Sequence, residues 1–224
     1  HTVTPNDGIL EVELECIRPD MEIHYTTDGS EPTATSPLYE KIVPVKEALT
    51  LKGAIFAHGR QMGKTLILPV RWNLATAKPV LGTNPTEKLL TNGIRGSLKY
   101  SDFEWCSWAD NDSVSFTIDL LKPEMLNTLT LGCITNNGMA IHKPASVRVE
   151  VSDDNSKFRE AVVQSFTSEE IFREGNFIEN LSLKLGGTQA RYVRVTAKGP
   201  GVCPASHVRP GQTSRIFFDE VMLE

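Results

Sequence analysis

Hydrophobic and polar positions alternate with a period of two along most of this chain, in short runs broken by turn residues. Leu10, Val12, Leu14 and Cys16 alternate with Glu11, Glu13 and Glu15, the pattern of a strand with one buried face. Residues 21–25 predict a second strand, running into the turn cluster Thr26-Thr27-Asp28-Gly29-Ser30-Glu31-Pro32. Residues 49–57 and 64–72 predict two more, separated by His58-Gly59-Arg60. Further on, Val114, Phe116, Ile118 and Leu120 alternate with Ser113, Ser115, Thr117 and Asp119. Residues 127–133, 146–152, 180–185, 191–197 and 215–223 are also β-like. Only residues 168–172 predict a helical turn, with Ser168 as its cap and Glu169 and Glu170 at its positive end. The fold class is therefore all-β. A small sandwich is expected over residues 1–76 and a larger one, of jelly-roll size, over 88–224. The proline-punctuated residues 77–87 have the composition of a linker.

Composition narrows the function more than the fold. The chain has 224 residues, 40% of them hydrophobic, and a net charge of −5, without a basic run. That balance argues against nucleic acid and against an anionic membrane surface. Insertion into a membrane through a helix is not expected, since no apolar stretch approaches ~20 residues. The chain opens at His1 without a methionine or a secretory leader, so it reads as a piece of a longer protein. Cys16, Cys106, Cys133 and Cys203 match no zinc-ribbon or redox spacing, and buried inert thiols are the expectation.

The densest landmark is Leu89-Leu-Thr-Asn-Gly-Ile-Arg-Gly-Ser97, followed by Phe103-Glu-Trp-Cys-Ser-Trp108. The Asn92-Gly93 step takes a positive φ cheaply, so the backbone can fold sharply there. Two resemblances frame it. Ile23-His-Tyr-Thr-Thr-Asp-Gly-Ser-Glu-Pro-Thr33, with Leu51-Lys-Gly-Ala-Ile-Phe-Ala57, resembles the chitobiase/β-hexosaminidase C-terminal domain, an immunoglobulin/fibronectin-like sandwich. In that segment Asp28 is expected to cap the amides of its own turn. The second half resembles the discoidin (coagulation-factor C-type) domain, which overlaps the family 32 carbohydrate-binding modules. The matching pieces are Leu90-Thr-Asn-Gly93, Trp105-Cys-Ser-Trp108, Val147-Arg-Val-Glu-Val-Ser-Asp-Asp-Asn-Ser-Lys-Phe158, Ala190-Arg-Tyr-Val-Arg-Val195 and Phe217-Phe-Asp-Glu-Val221. The order of the two modules resembles the C-terminal tail of family 20 glycoside hydrolases.

The resemblance implies a non-catalytic, extracytoplasmic accessory region whose partners are the catalytic domain of the same chain and glycans with N-acetylhexosamine or galactose. The chain has no room for a barrel of ~250 residues. Its adjacent Asp219 and Glu220 would point to opposite faces of the last strand, so they cannot flank one glycosidic bond. The family's structural calcium would fall on Asn92, Ser97, Glu220 and backbone carbonyls near Leu90 and Arg95. An asparagine stands where the family carries an aspartate, and an Asn turn that caps itself needs no ion. Sugar would be held by loops carrying Trp105, Asn136, Asn137, His142, His207 and Arg209. Trp108 is expected beneath the loop as a core residue. His207 can instead serve neighbouring backbone, and Asn136-Asn137-Gly138 can be a hairpin turn. The alternatives to glycan tethering are domains that only pack on a catalytic barrel, or an adhesion module with Met139-Ala140-Ile141 as its apolar spike.

Overall fold

In a computed structural model, which describes residues 1–108 and 113–224, the alternating runs of the first part form two small antiparallel sheets. One contains β1 (Thr2–Asn6), β2 (Ile9–Glu13) and a third strand, β4; the other is built on β3 (Glu22–Thr26). The remaining strands of this half are β4 (Val43–Val45), β5 (Leu49–Ala57), β6 (Arg60–Gln61) and β7 (Leu66–Val70). β2 lies between β1 and β4, while β5 pairs with β3, β6 and β7. Alternation sends Leu10 and Val12 inward to meet Val43, Val45, Leu51, Leu68 and Val70. Asp28 accepts hydrogen bonds from the Ser30 amide and hydroxyl, so the most specific motif of this half is a turn lock.

The second half holds β8 (Val80–Leu81), β9 (Cys106–Trp108), β10 (Ser113–Asn136), β11 (Ser146–Ser152), β12 (Arg159–Ser165), β13 (Asn176–Lys198) and β14 (Ile216–Leu223). Their order is β12-β11-β13-β10-β14-β9, with β8 also on β10. Four runs expected as separate strands are two long ones. β10 and β13 stay paired from Ser113↔Lys198 to Asn136↔Asn176, with register shifts between Asp119 and Glu124 and between Leu126 and Thr128. Leu121, at φ 70°, marks the break in one strand, and Gly186 and Gly187 mark it in the other. Hydrogen bonding resumes past each bulge although the hydrophobic alternation is interrupted. Inward residues from both halves of β10, such as Phe116 and Leu131, share one core. That is the jelly-roll sandwich.

β12 was not predicted because it is an edge strand with no fully buried position. The helical turn α1 (Ser168–Ile171) starts one residue earlier than expected: Thr167 is its cap, in a reciprocal box with Glu170. Among the described residues no helix is long and apolar enough to cross a membrane, and the four cysteines are free.

The two resemblance motifs of this half explain each other. Asp154 accepts from Ser152 Oγ and from the amides of Ser156 and Lys157, contacts that hold its carboxyl well below the usual range. The turn presents Phe158 to the Arg194 guanidinium, 3.8 Å from its carbon to the ring centroid, while Arg194 forks onto Glu150.

The stretch read as a linker is built into the fold. Ala77 and Glu87 are buried, and β8 pairs with β10. Arg71 N donates to Gly93 O, Ala77 N to Thr91 O, Gly8 N to Ala77 O and Leu74 N to Leu223 O, at 2.8–3.1 Å. Ile94 of the second half packs in the core of the first.

Candidate functional site

The loop after the 3-10 turn Glu87–Thr91 is organised by Gly93. Its φ of +75° belongs to the left-handed region, and a Cβ there would lie 2.6 Å from Arg71 O. Only glycine fits this fold-back. The Gly93 amide then points at Glu220 Oε2, 3.0 Å away. Asn92 Oδ1 accepts from Ile94 N at 2.9 Å, the self-capping turn, while its amide donates to Glu104 Oε2. Two residues on, Arg95 Nε and the Gly96 amide both donate to Asp219 Oδ2, at 2.6 and 3.0 Å. The adjacent pair on β14 therefore does point to opposite sides, yet both carboxyls are buried. Burial, reinforced by Asp219 and Glu104, pushes the Glu220 carboxyl well above its usual range; the Gly93 amide and Arg95 oppose that shift.

This constellation does not fit calcium through the three residues expected to hold it. Ser97 is exposed, and its hydroxyl accepts from Lys99 N. The Asn92 oxygen already caps Ile94. Glu220 Oε1 is the one buried oxygen of the set without a partner. A Ca²⁺ shell asks for six to eight oxygens and gains from carboxylate charge. The Arg95 guanidinium already occupies the cationic place beside Asp219.

The residues expected to hold sugar separate into three groups. Trp105 is buried: its Nε1 donates to Ser97 O, its ring abuts Gly96, and it packs with Ile134, Ile141 and Phe217. It is not a platform, because Gly96 removes the side chain that would hold the indole out in solvent. Trp108 is a core residue as expected, stacked on Phe116 and edge-on to Phe218. Asn137, His142 and His207 come together, but beneath the surface. Asn137 Oδ1 accepts from Gly175 N, and Asn137 Nδ2 lies 3.2 Å from His207 Nε2. His207 Nδ1 accepts from Arg209 N, so this histidine does serve backbone. The His142 ring lies edge-on to Phe172 and His207, at centroid distances of 5.1 and 5.0 Å. Burial, then the neighbouring His207, lowers the His142 pKa to about 4, against a smaller opposing effect of the Ile171 backbone.

Only Asn136 and Arg209 of the expected sugar set reach solvent. Asn136 closes the turn through reciprocal backbone bonds with Ile141, and Arg209 reaches Gln212. Ala140 and Ile141 are buried, so residues 139–141 form no apolar spike.

Sequence reasoning missed Phe103. It is 89% exposed and holds φ at 71°, a conformation that costs a bulky residue energy and swings its ring outward. It lines a cleft of about 440 Å³ between the two sandwiches, with His1, Thr2, Lys88, Asp102 and Glu104 around it. Burial, less the pull of the Asn92 amide, raises the Glu104 carboxyl. The signal was the Asp102-Phe103-Glu104 alternation just ahead of Trp105, where an aromatic stands between two acids. Such a cleft offers one apolar face and a fringe of oxygen and nitrogen groups, the make-up of a small-ligand site.

Comparison with known proteins follows the same division. The chitobiase/beta-hexosaminidase C-terminal domain model matches residues 6–66, and the F5/8 type C domain model matches residues 75–208. No curated protein matches the chain. Similar solved structures include CpGH89CBM32-6 of Clostridium perfringens, 18% identical, covering 68% of this chain and 98% of that one, with a TM-score of 0.46. A fucose binding module of Streptococcus pneumoniae is 17% identical, covering 68% and 97%, with a TM-score of 0.42. The C-terminal domain of a chitobiase from Bacteroides fragilis is 16% identical, covering 58% and 76%, with a TM-score of 0.34.

Proposed function

The chain belongs to the F5/8 type C domain family, and on that premise we propose that it is a non-catalytic, glycan-binding accessory region of an exported glycoside hydrolase. The first sandwich, which matches the chitobiase/beta-hexosaminidase C-terminal model, makes a β-N-acetylhexosaminidase the parent enzyme of this proposal. Its glycans would carry N-acetylhexosamine or galactose, and the region would tether the enzyme to them outside the cytoplasm.

The observation that carries this reading is the strained, outward Phe103 over the cleft between the sandwiches. A pyranose ring would lay its apolar face on the phenyl ring. Asp102, Glu104 and Lys88 would then receive or donate hydrogen bonds to its hydroxyls. One aromatic platform supports weak binding, with Kd in the micromolar to millimolar range. Glycan-array screening followed by calorimetry tests it. The expected result is binding to an amino sugar or galactoside that Phe103→Ala weakens by roughly tenfold, about 1.4 kcal/mol. Failure to bind any such glycan would sink the tethering role.

One observation favours a second reading, that both domains only pack on a catalytic barrel. Ile17 is 98% exposed beside an apolar groove that includes Met21, Ile55 and Met62. Under that reading Phe103→Ala would leave every property of the isolated chain unchanged.

A further inference from the structure

Three chain segments bring His142, Cys203 and His207 together where the sugar site had been expected. One nitrogen of each histidine and Cys203 Sγ lie within 4.8 Å of one another. His142 is fully buried, and neither of its ring nitrogens has a hydrogen-bond partner. A neutral imidazole carries one N–H and one lone pair, so this ring leaves both a donor and an acceptor unmet in the interior. The hydroxyl of Thr135, also buried, is likewise unpartnered. Cys203 is buried, with its sulfur 3.3 Å from Ser214 Oγ. Among the described residues no aspartate or glutamate belongs to the group.

We propose that His142, Cys203 and His207 form a binding site for a borderline-soft divalent transition metal, with zinc as its occupant. Two imidazoles and a thiolate are the donor chemistry of such ions, whereas calcium and magnesium take oxygen. An ion centred among three atoms no more than 4.8 Å apart would sit at most about 2.8 Å from each. Formed Zn–N and Zn–S bonds measure about 2.0–2.3 Å, so the cluster closes by at most roughly 0.5–0.8 Å on loading. The thiol proton leaves to solvent as the thiolate binds. If Nε2 of His207 is the ligand, its ring proton moves to Nδ1, the Asn137 amide now 3.2 Å from Nε2 must withdraw, and the 3.0 Å contact from the Arg209 amide must lengthen. The exposed residues Ala205, Ser206 and Val208 leave a route for the ion and for a water at the fourth position. The metal would pin residues 203–207 to His142, adding to the backbone bonds of Cys203 with Gln212 and Gly211.

The test is titration of the chelator-stripped chain with Co²⁺ as a spectroscopic probe, then with Zn²⁺ as competitor. One Co²⁺ per chain is expected, with a thiolate-to-cobalt charge-transfer band in the near ultraviolet that Zn²⁺ abolishes. Cys203→Ser, which keeps a small polar group facing Ser214, should remove the band. His142→Gln should weaken cobalt binding by about an order of magnitude or more. Cys16→Ser, at the most accessible thiol, should change nothing. No cobalt uptake at millimolar metal, uptake without the thiolate band, or a band that survives Cys203→Ser would overturn the proposal. If the variants lose their circular dichroism, the wild-type chain decides: Zn²⁺ but not Ca²⁺ must raise its Tm. Glycan binding through Phe103 can succeed or fail independently of every one of these results.

Discussion

Two buried polar clusters lie in the second sandwich, and their polar atoms are met to different degrees. Around Asp219 and Glu220, two backbone amides and the Arg95 guanidinium are aimed at the carboxyls. Around His142, the ring is enclosed by Phe172 and His207 and neither nitrogen has a hydrogen-bond partner. The first is supplied by one short loop, residues 92–96, whose glycines turn their N–H groups toward β14. The second is gathered from residues 142, 203 and 207, which no local turn can co-ordinate. The acid cluster leaves Asp219 Oδ1 and Glu220 Oε1 without partners, but the other oxygen of each carboxyl is met by donors from a single loop, and that makes it structural. A cluster left open inside the protein points to something from outside.

The comparison breaks first at Arg95. Arg95→Met leaves Asp219 as an uncompensated buried charge, and a loss of about 3–5 kcal/mol in urea unfolding is expected. A loss below ~1 kcal/mol would mean that the acid cluster is less complete than its geometry implies. Gly93→Ala comes next. It meets Arg71 O and an unfavourable φ together, and should cost about 2 kcal/mol while displacing the amide from Glu220.

The pH dependence of the metal-free chain sharpens the contrast because the two clusters have opposite signs. The Glu220 carboxyl is raised on folding, so its contribution is fully present below the unfolded value near 4.5 and is lost as pH rises through the folded one. His142 is lowered to about 4, so its contribution is present above the unfolded value of 6.5 and is lost as pH falls toward 4. Chemical denaturation across pH 4–8 should show Glu220→Gln flattening the alkaline limb and His142→Gln the acid limb. The smallest effect belongs to Phe103→Ala, which should leave the urea midpoint unchanged within ~0.5 kcal/mol.

What the sequence made legible was local or periodic. Strand faces followed from alternation, and Asp28 and Asn92 from the amides two residues ahead of each. What it hid depended on residues far away in the chain. Trp105 and Trp108 look alike in sequence, and only the distant Ile134, Ile141 and Phe217 show how the first is buried. Cys203 read as an inert thiol because its neighbours in space begin 61 residues earlier, at His142. The continuity of β10 across residues 121–123 was hidden because a bulge breaks the apolar rhythm but keeps the ladder. Composition misled at residues 77–87, where Ala77 and Glu87 are buried and residues 80–81 pair with β10 although the small side chains between them are exposed.

The joint between the sandwiches has a thermodynamic consequence. Ile94 sits in the first core, and the backbone bonds from Arg71 to Gly93, Ala77 to Thr91 and Leu74 to Leu223 cross the boundary. Melting either half strips apolar surface and hydrogen bonds from the other. The pair should therefore unfold as a single cooperative unit, and calorimetry is expected to show one transition whose van't Hoff and calorimetric enthalpies agree. Two sandwiches that look separable along the sequence share one stability.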